Sequence, residues 1–292
     1  MQPPNAEGAS EGFQIRRAPR TVPGRSLRLY APWLGGYVQN ISLDWGLAGK
    51  PVIVTGASSG IGAATVRGLG AAGASVLLVG RDEGRLNQQV AKVAAAGGRG
   101  VAAIVDLADA EAAAGLVDRA VEEFGSLHGM VLAASLFDPR PLEDTSLGCL
   151  DTQWRTNVLA PMMMTKRAVP HLGQGSSIVF IGSTTGSVGF PGCSAYTATK
   201  GAVAAVTRAL AVELAPKGIR VNIVVPGYVR TPMLQPHLDA NAGYEDWIVA
   251  NTPLGRIDGP EELAPTIVFL LSPLSAYIDG QTFIVDGGWT AR

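Results

Sequence analysis

Cysteine is nearly missing from this chain of 292 residues, which has only Cys149 and Cys193. Two thiols build neither a disulfide framework nor a thiolate metal site, so a reducing, cytoplasmic compartment is the expectation. Histidine is almost as scarce. His128, His171 and His237 are scattered without metal-ligand spacing, each reads as an ordinary surface or turn residue, and no metal is expected. A surplus of charge is also lacking: 23 basic residues stand against 24 acidic ones, a net charge of −1. That balance offers no global field for nucleic acid or for an anionic membrane. No apolar run reaches the ~18 residues of a membrane-crossing helix, and no apolar core of ~7–15 residues near the start marks a secretory signal.

What the chain has in quantity is apolar residues, 47% of the total, and 37 glycines. Such a composition suits an α/β body whose strands are covered on both faces. Residues 1–47 stand apart. They are rich in Pro, Gly and Arg, with Arg16, Arg17, Arg20, Arg25 and Arg28 followed by Tyr30, Trp33, Tyr37 and Trp45. The first ~25 residues read as disordered by composition, and Leu27 to Trp45 as a segment that docks on the main domain or on a neighbouring subunit. A plain extension is favoured over a targeting peptide or an upstream start codon.

From Pro51 the pattern turns regular. Pro51 to Thr55 is a short apolar strand, followed at once by Gly56-Ala-Ser-Ser-Gly60-Ile-Gly62 and an Ala-rich helix to about Ala72. Glycines in a strand-to-helix turn let the backbone approach a pyrophosphate, and the first helical N–H groups face it. Gly56, Ser58, Ser59, Gly60, Ile61 and Gly62 are the expected cradle. A second strand, Ser75 to Gly80, ends beside Arg81. An acidic residue there would bond a ribose 2′-hydroxyl, whereas an arginine suits a 2′-phosphate, so NADP(H) is preferred and NAD(H) is possible. The alternative is a surface arginine paired with Asp82 or Glu83.

Leu86 to Ala96 reads as a helix, Val101 to Val105 as a strand, Ala108 to Phe124 as a helix and Gly129 to Ala133 as a strand. Asp106 can accept from an adenine amine while Leu107 covers the ring, or it can cap the following helix. Strands and helices alternating on short connections predict one α/β domain over 48–292, a doubly wound parallel sheet with helices on both faces. Ligands then sit beyond the carboxyl ends of the strands.

The most informative stretch runs from Ile181 to Lys200: a buried strand ending at Ser183, a Gly/Pro loop, then a helix start carrying Tyr196 and Lys200. Residues four apart on a helix share a face. An ammonium held beneath a phenol favours the phenolate, which predicts a Tyr196 pKa below its ordinary value near ~10. Ser183 can fold back to share a carbonyl or hydroxyl oxygen with Tyr196. Proton transfer to and from an oxygen is the chemistry such a set supports.

Taken together these stretches resemble the classical short-chain dehydrogenase/reductase family, over roughly Leu47 to Thr290. Thr55 to Gly62 (TGASSGIG) matches its cofactor turn, Ser183 its serine, and Tyr196 with Lys200 its YxxxK pair. Asn157 within Trp154-Arg-Thr-Asn157-Val matches its helix asparagine, Pro226-Gly227-Tyr-Val229-Arg-Thr231-Pro its PGxVxT segment, and Val285-Asp-Gly-Gly its terminal strand end. The resemblance implies an NAD(P)-dependent oxidoreductase on an extended Rossmann-like fold of about seven parallel strands. In it Tyr196 would be the acid/base, Lys200 would lower its pKa and bind the nicotinamide ribose, and Ser183 would steady the substrate oxygen. Asn157 would hold a water linking Lys200 to solvent through its effect on the helix backbone. Val229 and Thr231, on the segment begun by Pro226 and Gly227, would contact the carboxamide. One departure stands out: the family's usual Asn-Asn-Ala-Gly after the fourth strand is Leu132-Ala133-Ala134-Ser135 here. Small apolar groups must pack instead, or Ser135 must replace part of the bonding.

Three segments should wall a substrate pocket, supplying Ser135, Leu136, Phe137, Val188, Phe190, Cys193, Met233, Leu234, Tyr244 and Trp247. With few fixed charges, that wall fits a hydrophobic ketone or secondary alcohol better than a sugar or a carboxylate. Cys193 is either a passive loop residue or a reactive thiol at the pocket edge. Residues 233–251 read as a mobile lid. Met162-Met-Met164 reads as core or subunit packing. The family's habit implies a homotetramer, or a homodimer, assembled through helices near residues 151–172 and 196–215. A 3-oxoacyl thioester reductase of fatty-acid type is the alternative activity, which the pattern from Pro253-Leu-Gly-Arg256 to Gly288 also suits. A non-catalytic NADP(H)-binding sensor or scaffold is the alternative from another class.

Overall fold

A computed structural model of the chain describes residues 44–291. The arginines and aromatics from Arg16 to Tyr37, and the docking role expected of them, lie outside the described residues. Trp45 and Leu47 lie within them. Leu47 is fully buried and Trp45 packs against the same core, so the packed body begins before residue 48.

The described residues form one seven-stranded sheet of order β3-β2-β1-β4-β5-β6-β7, every pairing parallel. The strands are β1 (Pro51–Thr55), β2 (Ser75–Gly80), β3 (Arg99–Ile104), β4 (Gly129–Leu132), β5 (Ser177–Ile181), β6 (Arg220–Pro226) and β7 (Thr282–Val285). Strand order reverses between β1 and β4, which opens a crevice at their carboxyl ends. The helices are α1 (Gly60–Ala71), α2 (Glu83–Ala95), α3 (Ala110–Phe124), α4 (Leu147–Trp154), α5 (Ala160–Ala168), α6 (Ser194–Leu214), α7 (Gln235–Ala240), α8 (Tyr244–Asn251) and α9 (Pro260–Leu271). None of the described helices is long and apolar enough to cross a membrane.

Because strand side chains alternate between faces, each strand feeds two cores. Ile53, Met130, Ile178 and Phe180 pack with Leu116 and Val117 of α3, Met164 of α5 and Val203 of α6. Val52, Val54, Val131 and Val179 pack on the other face with Val66 and Leu69 of α1, Leu86 and Val93 of α2, and Ile267 and Val268 of α9. Near-continuous Val/Ile/Leu runs are what a strand covered on both faces requires.

Two helix starts differ from the sequence expectation, each for a polar reason. α2 begins at Glu83 instead of Leu86 because the Asp82 carboxylate accepts from the Arg85 N–H at 2.9 Å. α3 begins at Ala110 because Asp109 caps it, accepting from the N–H groups of Glu111 and Ala112 at 3.1 and 3.0 Å. Asp106 is therefore not that helix's cap; its carboxylate closes a local turn with the Ala108 N–H at 3.0 Å. Of the three methionines, Met164 is fully buried, whereas Met162 stays exposed.

Candidate active site

The turn between β1 and α1 is compact because only glycine fits it. Gly56 and Gly60 take φ of +68° and +51°, the left-handed region that other residues avoid. A Cβ on Gly62 would stand 2.3 Å from the Gly56 carbonyl oxygen. Gly56 in turn lies against Ala134, whose backbone N and Cα would sit 3.0 Å from a Cβ at residue 56. Small residues after β4 thus let the turn close on the neighbouring strand, and the Thr55 hydroxyl accepts the Ala134 N–H at 3.1 Å. α1 then starts at Gly60, its N-cap Ser59 making no side-chain capping bond, which leaves the first N–H groups to an anion.

At the end of β2, Ser58 packs over Gly80, its Oγ 3.3 Å from where a Cβ would stand. Arg81 beyond it is exposed. The proposed pairing with Asp82 does not form, since Asp82 pairs with Arg85 at 3.2 Å. Asp106 is exposed at the end of β3, but Leu107 is buried in the core and offers little side-chain surface to a ring. Gly60 faces Thr231, whose Cγ2 would lie 3.0 Å from a Cβ there, so the first turn and the segment after β6 meet. That segment is held from behind. A Cβ on Gly227 would meet Asp286 at 2.8 Å, and the Asp286 carboxylate accepts from the Gly288 and Thr290 N–H groups, each at 2.8 Å. Val229 pairs with Asp258 in an isolated parallel bridge. A glycine cradle and an uncapped helix start fit a dinucleotide pyrophosphate.

β5 delivers Ser183 to this crevice. Gly182 before it is pinned against β6, where a Cβ would meet Ile223 and Val225 at 2.9 Å. Gly186 after it rests on the Lys200 backbone, 3.1 Å away by the same measure, so the serine loop lies directly on α6. Tyr196 and Lys200 are buried, 7% and 4% exposed. The Lys200 ammonium donates to the Ile181 carbonyl at 2.8 Å and lies 5.5 Å from the Tyr196 ring centroid.

The expected lowering of the Tyr196 pKa is not what this arrangement produces. Burial pushes the phenol up to about 12, with hydrogen bonds from Ser135 and Ser183 pulling the other way. Burial also brings Lys200 down to about 8. Burial disfavours both charged forms, and the ammonium is hydrogen-bonded to a backbone carbonyl.

Asn157 sits in a π turn, Arg155–Leu159, between α4 and α5. Its amide donates to the Leu136 carbonyl at 2.9 Å and the Thr199 hydroxyl at 3.1 Å. Its oxygen accepts from the Leu136 N–H at 2.7 Å and the Ser135 hydroxyl at 3.2 Å. All four bonding positions of that side chain are thus used on protein, tying the segment after β4 to α6; any water it organises is held by its backbone.

A cavity of about 420 Å³ opens over these groups. Of the expected wall, Ser135, Phe137, Phe190, Cys193, Met233, Leu234 and Tyr244 line it, as do the cofactor-side residues Ile61, Pro226, Gly227, Val229 and Thr231. Leu136, Val188 and Trp247 do not; both backbone polar groups of Leu136 are bonded to Asn157. Val188 is drawn back by its N–H bond to the Thr184 carbonyl at 2.9 Å, and Trp247 stacks behind Tyr244 with centroids 5.8 Å apart. Burial raises the Cys193 thiol pKa, which keeps it protonated and unreactive.

The sequence reading passed over Tyr228, His237 and Asn241, which also line the cavity. Tyr228 fills the variable position of PGxVxT. Leu234, His237 and Asn241 recur at helical spacing, a face that could have been read toward the pocket. His237 is therefore a wall residue, its ring edge-on to Phe137 at 5.2 Å, and not an ordinary surface histidine.

A family model described as enoyl-(acyl carrier protein) reductase matches residues 56–290. Cis-4-hydroxycyclohexanecarboxylate dehydrogenase of Sinomonas cyclohexanicum is 38% identical over 248 residues, 84% of this chain and 98% of that protein. Cyclopentanol dehydrogenase of Comamonas sp. is 35% identical, covering 83% of this chain and 98% of its own length. A Burkholderia cenocepacia short-chain dehydrogenase solved in complex with NADP superposes with a TM-score of 0.79 at 35% identity, covering 84% of this chain and 99% of that one.

Proposed function

This chain belongs to the classical short-chain dehydrogenase/reductase family of oxidoreductases, and from that premise we propose that it interconverts a hydrophobic, cyclic secondary alcohol and its ketone with NADP(H). The observation that carries this reading is the cavity itself: Ser183 and Tyr196 line it together with Phe137, Phe190, Tyr228 and Leu234. A ring of five to seven carbons presents one oxygen to the hydroxyls and apolar surface to the aromatics. The two relatives named for cyclic alcohols support the same substrate shape.

A bound nicotinamide supplies hydride for the carbonyl carbon, or accepts it in reverse. The chain's own part is to hold and protonate the oxygen. The Thr185 N–H and hydroxyl both donate to Ser183 Oγ, at 3.2 and 3.0 Å. With its lone pairs so engaged, the Ser183 proton is aimed at the oxygen it shares with Tyr196. Tyr196 donates its proton to the developing alkoxide, a preformed electrostatic aid of the oxyanion-hole kind. Lys200 holds positive charge beneath the phenol, and the aromatic wall excludes water.

Steady-state rates with NADPH test the reading, using cyclopentanone, cyclohexanone, an aldose and an acetoacetyl thioester, followed by the absorbance of the reduced cofactor. The cyclic ketones are expected to give the highest kcat/KM. A preference for the thioester would transfer the assignment to acyl reduction, and NADPH binding without any turnover would favour a sensor.

The cofactor reading makes a separate prediction. Replacing Arg81 by Asp should weaken NADPH binding by about 10–100-fold, the scale of a charge-assisted phosphate contact. NADH binding should be unchanged or tighter, because a carboxylate accepts from the ribose hydroxyl. Fluorescence titration of both cofactors checks it, and equal losses would remove Arg81 from the 2′-phosphate.

A further inference from the structure

The cavity has a second polar point besides Ser183 and Tyr196. Tyr228, on the segment after β6, and Tyr244, the first residue of α8, both line it, and their phenolic oxygens are hydrogen-bonded to each other at 3.1 Å. Packing fixes where that pair sits. The Tyr228 ring stands edge-on to Phe190 at 6.3 Å and to Trp289 at 5.1 Å, while Tyr244 stacks on Trp247 at 5.8 Å. Two phenols carry two protons, and their mutual bond uses one of them, whichever oxygen donates. Nothing among the described residues takes the other, since neither hydroxyl bonds Ser183, Tyr196 or any further group there. Both side chains are half-buried, so the spare O–H belongs to the cavity.

Resting on the cyclic-ketone reading above, we propose that the substrate ring carries a second, uncharged oxygen, and that the Tyr228–Tyr244 pair is the specificity element that receives it. The pair's spare proton donates to a hydroxyl, carbonyl or ether oxygen, and its remaining lone pairs accept from a hydroxyl. A plain hydrocarbon ring in the same place leaves that O–H without a partner. A site built to bond an oxygen turns away the analogue lacking it for this reason. Charge argues against an ionised group. Among the described lining residues the one ammonium or guanidinium is Lys200, and it is engaged with the Ile181 carbonyl at 2.8 Å. No carboxylate lines the cavity to receive an amine. The His237 imidazole is the remaining basic side chain in the lining, which makes a carboxylate the competitor to test.

The test is kcat/KM with NADPH for 3- and 4-hydroxycyclohexanone, for the 3- and 4-methyl ketones that match their bulk without their bonding, and for 4-oxocyclohexanecarboxylate. Wild type is expected to prefer at least one hydroxy ketone over its methyl counterpart by about 5–10-fold, the scale of one hydrogen bond between uncharged groups. That hydroxy ketone should also exceed the carboxylate. Each of Tyr228→Phe and Tyr244→Phe keeps one O–H and should keep part of the preference. The double variant keeps both rings and neither hydroxyl, and its ratio should fall to about one. Because the ratio is taken within one protein, a general loss of activity cancels. Equal use of hydroxy and methyl ketones by the wild type, a preference undiminished in the double variant, or the carboxylate as best substrate would each overturn the proposal. Turnover of none of the five ketones would instead overturn the cyclic-ketone reading beneath it, so the two failures are told apart.

Discussion

Replacing Tyr196 by phenylalanine is expected to lower turnover in both directions by on the order of 10³-fold, within the range that positioned acid–base groups contribute. NADPH affinity and melting temperature should stay near their wild-type values, because the ring's packing survives: Tyr196 meets Phe137 edge-on at 4.8 Å, and only the oxygen is removed. The pH dependence follows from the same burial. A phenol held near 12 stays protonated through neutral pH, so ketone reduction should hold steady from pH 6 to 8. Alcohol oxidation needs the phenolate and should climb as pH rises, from whatever level the bound cofactor sets. Rates across that range for wild type and Tyr196→Phe check both statements, and a variant retaining a tenth of wild-type turnover would place the proton donor elsewhere.

Gly62→Ala should be the most damaging single-methyl change in the cofactor turn. Its Cβ would lie 2.3 Å from the Gly56 carbonyl oxygen, and that oxygen has no room to retreat, because Gly56 is already pressed on Ala134 and holds a left-handed φ of +68°. Overpacking a rigid site costs about 1–3 kcal/mol, and a backbone neighbour puts this case at the upper end. NADPH binding should fall at least about tenfold as the start of α1 is displaced. Thermal unfolding and fluorescence titration measure the two effects. An unchanged melting temperature and affinity would mean that the turn yields, and that its tightness is not what shapes the cradle.

The pieces legible in the sequence are those fixed by short-range rules. Pro51–Thr55, Ser75–Gly80, Pro260–Leu271 and Thr282–Val285 have the bounds that alternation and turn residues mark. The positive-φ glycines of the first turn follow from their place between a strand and a helix. What stayed hidden depends on contacts between distant segments. Nothing near Tyr196 announces that Lys200 turns to Ile181, so burial and not the ammonium sets the phenol's pKa. Val188 and Trp247 carry the apolar character of wall residues, yet a tight turn withdraws one and a stacked neighbour screens the other. His237 was hidden for the opposite reason: a lone polar residue on a short helix looks solvated until the helix is laid across the cavity.

The replacement of the usual Asn-Asn-Ala-Gly is the instructive middle case. Its sequence reading allowed either apolar packing or a substitute hydroxyl, and the structure contains both. Ala134 admits the Gly56 turn, and the Ser135 hydroxyl donates to Asn157.

The central claim, hydride transfer between nicotinamide and a cyclic ketone with Tyr196 as proton donor, is tested most directly by isotope. Wild-type protein would be given cyclohexanone and NADPH carrying deuterium on the transferable position of the nicotinamide C4, with the product analysed by mass spectrometry. The account predicts cyclohexanol with one deuterium on the carbinol carbon and a solvent-exchangeable hydroxyl proton, and no such product from Tyr196→Phe. Alcohol formed without deuterium at that carbon, or equal labelled product from Tyr196→Phe, would contradict it.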